Sequence, residues 1–385
     1  MLINEWDLAK IMFFQRNRKR KLEMALGIDL GASQIKAVVV RQLRDKLELV
    51  EYAVHPLATT PAKAYRGPEF AAELQALVDS LKTTERRAFV TISCSSAMVC
   101  QAEFPPVPLD EIKSALKLNS SGYLRRDFSS YYLDAFELTK GTEASKSKSK
   151  GKNPAKVEDA AKTKDATKAK DKEMVKSTVL VGGATREEVD ACRDALIAAK
   201  IKPNAIELAA VSVINAFQIS HPEIKDEVIV LVDMGAHMTS INFLLGGMPL
   251  ITRIMHFGGA QLSEYIGQVL MLKPQEAEEE KCKMSAPVQE LVKTAISPLA
   301  REIRSSIDFF ERQHDLHVRR ICACGGSACS PQVLTILGEA VGAQIECWNL
   351  VKGLDVSHFN GESERVLAIG PSLAAVVGVA AARLS

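Results

Sequence analysis

Several protein classes are excluded by what the 385-residue sequence lacks. It has no C-x-x-C pair, and its 8 cysteines are irregularly spaced, two of them in Cys322-Ala323-Cys324. A zinc site using Cys322, Cys324 and Cys329 lacks a second ligand pair at metal-binding spacing. The cysteines are therefore expected to act as small buried hydrophobes of a reducing compartment. No apolar core with a cleavage site marks a secretory signal, and the N-terminal basic cluster follows its hydrophobic residues, so the chain is expected to be cytoplasmic. A spanning helix needs about 20 strongly apolar residues. The longest apolar stretch, Val366 to Ala381, contains Gly370, Pro371 and Ser372 and reads as a buried core helix. An excess of one charge is also missing: 49 Lys and Arg against 47 Asp and Glu leave +2, and nothing global argues for nucleic acid. Neither G-x-x-x-x-G-K-[ST] nor G-x-G-x-x-G occurs, which removes the Walker loop and the dinucleotide fingerprint.

What the chain does have is a strand-turn-strand stretch, Leu26 to Val40, in which an apolar run ends in Asp29-Leu30-Gly31-Ala32-Ser33 and a β-branched run follows. Small turn residues let a polyanion approach the backbone N–H groups, with the Asp29 carboxylate just before the turn and the Lys36 ammonium just after it. Phosphate plus metal is the natural occupant. The pattern recurs at Val228 to Phe243, again with Asp-x-Gly-Ala (Asp233 to Ala236) ending a strand. Two such hairpins suit a pair of duplicated domains gripping one nucleotide from both sides. A third turn, Gly325-Gly326-Ser327, ends the strand 320–324 ahead of a helix.

The size and the 47% hydrophobic content allow two domains. The divisions read as a basic N-terminal extension (1–23), a first lobe (24–226) and a second (227–385). In the extension, Leu8, Ile11 and Met12 have helical spacing and basic residues follow. This is either an amphipathic segment for an anionic membrane face or a loosely docked tail. The antiparallel meander of 26–56 precedes a helix at 68–81, strands at 88–94 and 98–104, a helix at 109–124 and a strand at 131–138. Residues 140–176 alternate Lys with small and polar residues and cannot bury enough surface to fold; they read as a disordered basic insertion. The strand 177–181 resumes, and Thr185 with Glu188 has capping-box spacing before a helix to Lys200. A helix is expected at 205–217, with Glu207 near its start. Strand 249–256, helices 261–270 and 274–283, and a long helix 287–314 that Pro298 should break precede the strand-helix-strand-helix end of the chain. The class is α/β with mixed sheets.

In this order, residues 27–36, 232–239, 257–262, 276–281, 302–310 and 325–327 resemble the nucleotide-binding signature of the actin-like ATPase superfamily. In closer detail they resemble its type IV pilus assembly family, PilM, on the FtsA-like branch. The match runs from about residue 24 to the end apart from the lysine insertion. The resemblance implies an actin-like (ribonuclease H-like) duplicated two-lobe fold, with an inserted FtsA-like subdomain at 86–204. It implies that Gly31, Ala32, Ser33 and Gln34 hold the β- and γ-phosphates of ATP, that Lys36 neutralises charge, and that Gly235, Ala236 and His237 close from the other side. Asp29 and Asp233 would hold Mg²⁺ through water, Glu278 and Lys281 would reach ribose and adenine, and Gly325, Gly326 and Ser327 would pass beneath the adenosine.

Glu207 and Asp233 are the catalytic candidates, Glu207 as the group that orients water. Its bland counterpart is an exposed first-turn carboxylate favoured by the helix dipole. Ala236 stands where actin has a second aspartate, so hydrolysis is left open and His237 reads as a turn residue. The family's implied role is a cytoplasmic ATP-binding scaffold at the inner membrane. Its implied partners are the cytoplasmic tail of a PilN-like membrane protein, bound by the inserted subdomain, and the pilus assembly ATPase. A small-molecule kinase of the same superfamily is one alternative. An FtsA-like filament protein, which usually ends in an amphipathic membrane helix after a linker, is the other.

Overall fold

The computed structural model describes residues 22–44, 46–57, 67–139, 176–359 and 362–384. The N-terminal segment and nearly all of the lysine-rich insertion fall outside the described residues.

The first sheet begins with the meander β1 (Met24–Leu30), β2 (Gln34–Leu43) and β3 (Lys46–Pro56). Helix α1 (Pro68–Ser80) leads to β4 (Arg87–Ile92), which pairs parallel with β1. The chain then makes an excursion through β5 (Met98–Phe104), α2 (Leu109–Leu118), α3 (Ser120–Leu124), β6 (Tyr131–Thr139) and β7 (Ser177–Thr185), which form a separate sheet of order β5-β7-β6. Helix α4 (Arg186–Ala198) returns to β8 (Lys202–Leu208), and α5 (Ala209–Ser220) follows. The completed first sheet has the order β3-β2-β1-β4-β8.

The second sheet repeats the plan. Strands β9 (Val228–Met234), β10 (Thr239–Leu245) and β11 (Met248–Met255) form the meander. Helices α6 (Gly259–Leu270), α7 (Pro274–Lys283), α8 (Ala286–Ala295) and α9 (Ser297–His314) precede β12 (Arg320–Cys324). Then come α10 (Pro331–Val341), β13 (Ile345–Cys347), α11 (Ser363–Ile369) and α12 (Ala374–Ala381). The order is β11-β10-β9-β12-β13, the same succession as in the first sheet. The duplication expected from the two Asp-x-Gly-Ala hairpins is therefore a duplication of whole sheets.

Burial explains how the halves join. One face of the first sheet packs on α1 and α4 (Leu74, Val189, Leu196), and one face of the second packs on α6 to α10 (Ile266, Val292, Ile303, Leu337). The inner faces share a cluster built on α5 and α12, in which Val38 and Phe89 meet Val213, Val376 and Val379, while Leu231 and Cys324 join from the other sheet. All eight residues of α12 are buried, and each fully buried valine adds about 1.5–3 kcal/mol. The stretch Ser363–Ala381 is long and apolar enough to cross a membrane by length and composition, with mean hydropathy 1.5, yet 67% of its apolar window is buried inside the protein. Helices α5 and α12 cross closely: a Cβ on Gly378 would collide with the Ser212 carbonyl oxygen.

Local expectations fail where tertiary contacts intervene. The helix expected over 109–124 is two helices, broken at Asn119, whose side chain accepts from Gly122 N–H and caps α3. The Thr185–Glu188 capping box does not form. Glu188 instead takes the N–H groups of Ser95 and Ser96 (both 3.2 Å) and their hydroxyls, while Thr185 donates to it at 3.1 Å. These bonds tie together the two crossings into and out of the inserted sheet. Burial works against the Glu188 carboxylate, but the serine and threonine donors outweigh it and hold its pKa below the usual range. The break at Pro298 is present, between α8 and α9.

Candidate functional site

The two hairpin turns face each other across a cleft of roughly 80 Å³, lined by Asp29, Gly31 to Gln34, Lys36, Asp233, Gly235 to Met238, Gly325 and Gly326. Strand register explains the arrangement. Asp29 lies opposite Lys36 in the β1–β2 ladder, and Asp233 lies beside Cys324 in the β9–β12 pair. Lys36 Nζ is 2.9 Å from Asp29 Oδ2, and both side chains are largely buried. Burial opposes the Lys36 ammonium, but the charge and hydrogen bond of Asp29 and the charge of Asp233 outweigh it and raise its pKa. Asp233 is pushed up to about 6, by burial first and by the Asp29 charge second; Lys36 and the Cys324 thiol pull the other way. Two carboxylates and one ammonium thus line the same cleft, a donor set chemically suited to a hard divalent cation.

The second hairpin turn is braced from behind. Gly259 and Ala260 N–H donate to the Gly235 and Ala236 carbonyls at 3.0 and 2.8 Å, while Gly235 N–H donates to Met238 O at 2.9 Å. Gly325 has φ +89, and a Cβ there would stand 2.5 Å from the Met234 carbonyl oxygen and 2.6 Å from Asp233 Oδ1. Only glycine lets the third turn lie against the second. Burial lowers the His237 pKa against the opposing charge of Glu264, which keeps the imidazole neutral at neutral pH. Ala209 at the start of α5 and Ser372 and Ala375 around the start of α12 also line the cleft. Two helix N-termini therefore open onto it, a favourable setting for anionic oxygens.

Glu278, Lys281 and Ser327 meet to one side of this cavity, outside its lining. Lys281 bridges Glu278 (2.7 Å) and the Gly259 carbonyl (3.1 Å), and Ser263 donates to Glu278 at 2.5 Å. A Cβ on Gly259 would lie 2.8 Å from Ser327 Oγ and 3.3 Å from Lys281 Nζ, so the three elements share one ledge.

Glu207 is corrected in both element and setting. It ends strand β8 and is 1% exposed. Ser212 (3.0 Å), Asn215 (2.7 Å) and Arg383 (3.1 Å) hold it, and it is absent from the cleft lining. Burial pushes its pKa up to about 7 against the Arg383 charge and the two neutral donors. The reading as an exposed first-turn carboxylate does not describe it. The residues that sequence reasoning missed are Ser93, Ala209, Met238, Pro371, Ser372 and Ala375. Of these, Met238 lay within the recurring hairpin, and Pro371 and Ser372 interrupted the last apolar run.

Residues 165–383, more than half of the chain, match the family described as type IV pilus assembly protein PilM. The chain belongs to the PilM family. Among solved structures it is similar to a PilM-PilN type IV pilus biogenesis complex, with a TM-score of 0.76 and 23% identity over 95% of this chain and 100% of that one. It is also similar to ethanolamine utilization protein EutJ from Carboxydothermus hydrogenoformans, with a TM-score of 0.53 and 14% identity over 95% of this chain and 91% of that one. The duplicated sheets of this PilM-family chain are the actin-like ATPase fold.

Proposed function

We propose that this PilM-family chain is a cytoplasmic ATP-binding scaffold of the inner-membrane platform that assembles a type IV pilus or a related secretion fibre. The observation that carries the reading is the Asp29–Lys36–Asp233 cluster between the duplicated turns, at the open ends of two helices. The residues fit Mg²⁺ and the terminal phosphates of ATP. Asp29 and Asp233 would hold the cation through its waters, the turn N–H groups and Lys36 would take phosphate oxygens, and Glu278, Lys281 and Ser327 would meet the nucleoside. The cation supplies charge neutralisation when bound. A cleft of roughly 80 Å³ suits phosphate and ion, whereas a whole ligand needs about 300 Å³ or more, so the nucleoside lies outside this cavity or the lobes part to admit it.

The partner in this reading is the cytoplasmic tail of a PilN-like membrane protein, docked by the inserted subdomain, with further contact to the pilus assembly ATPase. Its support is the likeness to a PilM-PilN complex. Nucleotide would act by favouring one of two lobe arrangements that differ in partner affinity. With Glu207 buried against Arg383, the cleft has, among the described residues, no carboxylate beyond Asp29 and Asp233, which favours a binding role over a kinase. Calorimetry of the full chain with Mg²⁺-ATP tests it, beside Asp29→Ala and a synthetic copy of the tail. Binding of ATP to the wild type alone, with tail affinity changed by nucleotide, is the expected result. Absence of both bindings overturns the assignment.

A further inference from the structure

A second cavity, of 850 Å³, runs along the free edge of the second sheet. Its floor is β13, represented by Ile345 and Cys347; α10 supplies one wall through Leu334 and Gly338, and Leu367 and Pro371 supply the other. Strand β13 has a neighbour on one side only. The bond from Trp348 N–H to Ala323 C=O (2.8 Å) sets its phase, so the main-chain groups of residues 346 and 348 face β12 and those of Ile345 and Cys347 turn outward into the groove. Among the described residues these outward groups have no backbone hydrogen-bond partner.

An unpaired sheet edge inside an apolar groove selects an occupant with its own row of N–H and C=O groups. Residues of α10 and of the Leu367–Pro371 segment line the groove beside this edge. Charge then orders the occupant. Glu339 lies where the chain leads into β13 and Lys352 lies past its end; both are exposed, and neither has an ion-pair partner among the described residues. Pro371 lines this groove and the phosphate cleft alike, so an occupant touches the turn that opens α12 onto the phosphates.

We propose that the groove docks an extended segment of a partner protein by strand addition to β13. The segment is small or apolar in its middle, with a carboxylate beside Lys352 and a basic group beside Glu339. This surface is separate from the inserted subdomain and independent of the tail-binding reading.

The test selects a displayed library of random seven-residue peptides on the full chain and measures the winners by fluorescence anisotropy. Expected winners alternate β-branched residues between an acid at one end and a base at the other. Cys347→Pro removes one outward N–H and spares the β12 pairing, so it should weaken binding at least about tenfold, while Cys347→Ala, which keeps the N–H, should not. Thr335→Trp, at an exposed groove position on α10, should block binding without touching the strand. This keeps the question answerable if the proline variant fails to fold. Peptides that bind equally to Cys347→Pro and Thr335→Trp, or no enrichment at all, overturn the proposal. So does competition by ATP that survives in Asp29→Ala, because the groove would then hold the nucleotide itself.

Discussion

Arg383, just past the end of α12, reaches Glu207 at the end of β8 at 3.1 Å, with side-chain exposures of 8% and 1%. The pair fastens the last helix to the first sheet at the α5–α12 crossing. Removing only the cation leaves a buried carboxylate uncompensated, which typically costs about 3–5 kcal/mol. Neutralising the carboxylate in place costs far less. Arg383→Ala should therefore lower the melting temperature much more than Glu207→Gln, and equal losses in thermal unfolding would refute this asymmetry.

The same carboxyl gives a pH signature. Its folded pKa is raised from 4.5 to about 7, so between those values the folded state keeps a proton that the unfolded state has released. The resulting stability is full below about pH 4.5 and is lost as pH rises through about 7. Wild type should gain up to about 3 kcal/mol relative to Glu207→Gln on going from about pH 8 to about pH 5. Parallel melting curves for the two proteins across that range would contradict the burial argument.

Burial first, and the charge of Asp29 second, raise the pKa of Asp233 to about 6. Asp233→Asn should raise the stability of nucleotide-free protein by about 1–2 kcal/mol, by removing a charge that burial first and the Asp29 carboxylate second disfavour. It should also abolish the thermal stabilisation given by Mg²⁺-ATP. Differential scanning fluorimetry with and without Mg²⁺-ATP measures both, and stabilisation retained in the variant would remove Asp233 from the site.

Gly378 sets two effects against each other. Alanine is favoured in a helix by about 1 kcal/mol, but its Cβ would collide with the Ser212 carbonyl oxygen, and overpacking costs about 1–3 kcal/mol. The clash involves backbone and cannot be relieved by a rotamer change. Gly378→Ala should be net destabilising by up to about 2 kcal/mol in chemical denaturation, and a stabilised variant would mean that the helices slide apart easily.

Both hairpin turns and the third glycine turn were legible in the sequence as turns, because an apolar strand ending in Asp-x-Gly-Ala depends on local residues alone. Glu207 was misplaced for a physical reason. From Ala205 to Val211 no turn residue interrupts the chain, and nothing local marks the change from strand to helix at Leu208. Pairing of Thr91 with Glu207 in the β4–β8 ladder decides it, and that is a long-range contact. The capping box failed similarly, since Ser95 and Ser96 bind Glu188 from over 90 residues away in sequence. Ala209 and Ala375 line the cleft through backbone position, which leaves no mark in residue type.

The ladder between β6 and β7 runs as far as Thr139 opposite Thr178. The chain thus leaves and re-enters the inserted sheet at one point, and closure cost rises by only about 0.6 kcal/mol per doubling of what lies between. That makes the junction a natural graft point, where a compact fluorescent module with adjacent termini can replace the lysine-rich stretch. Both hairpin turns and the edge of β13 would remain untouched in such a chimera, giving a labelled PilM-family protein that can be followed by microscopy.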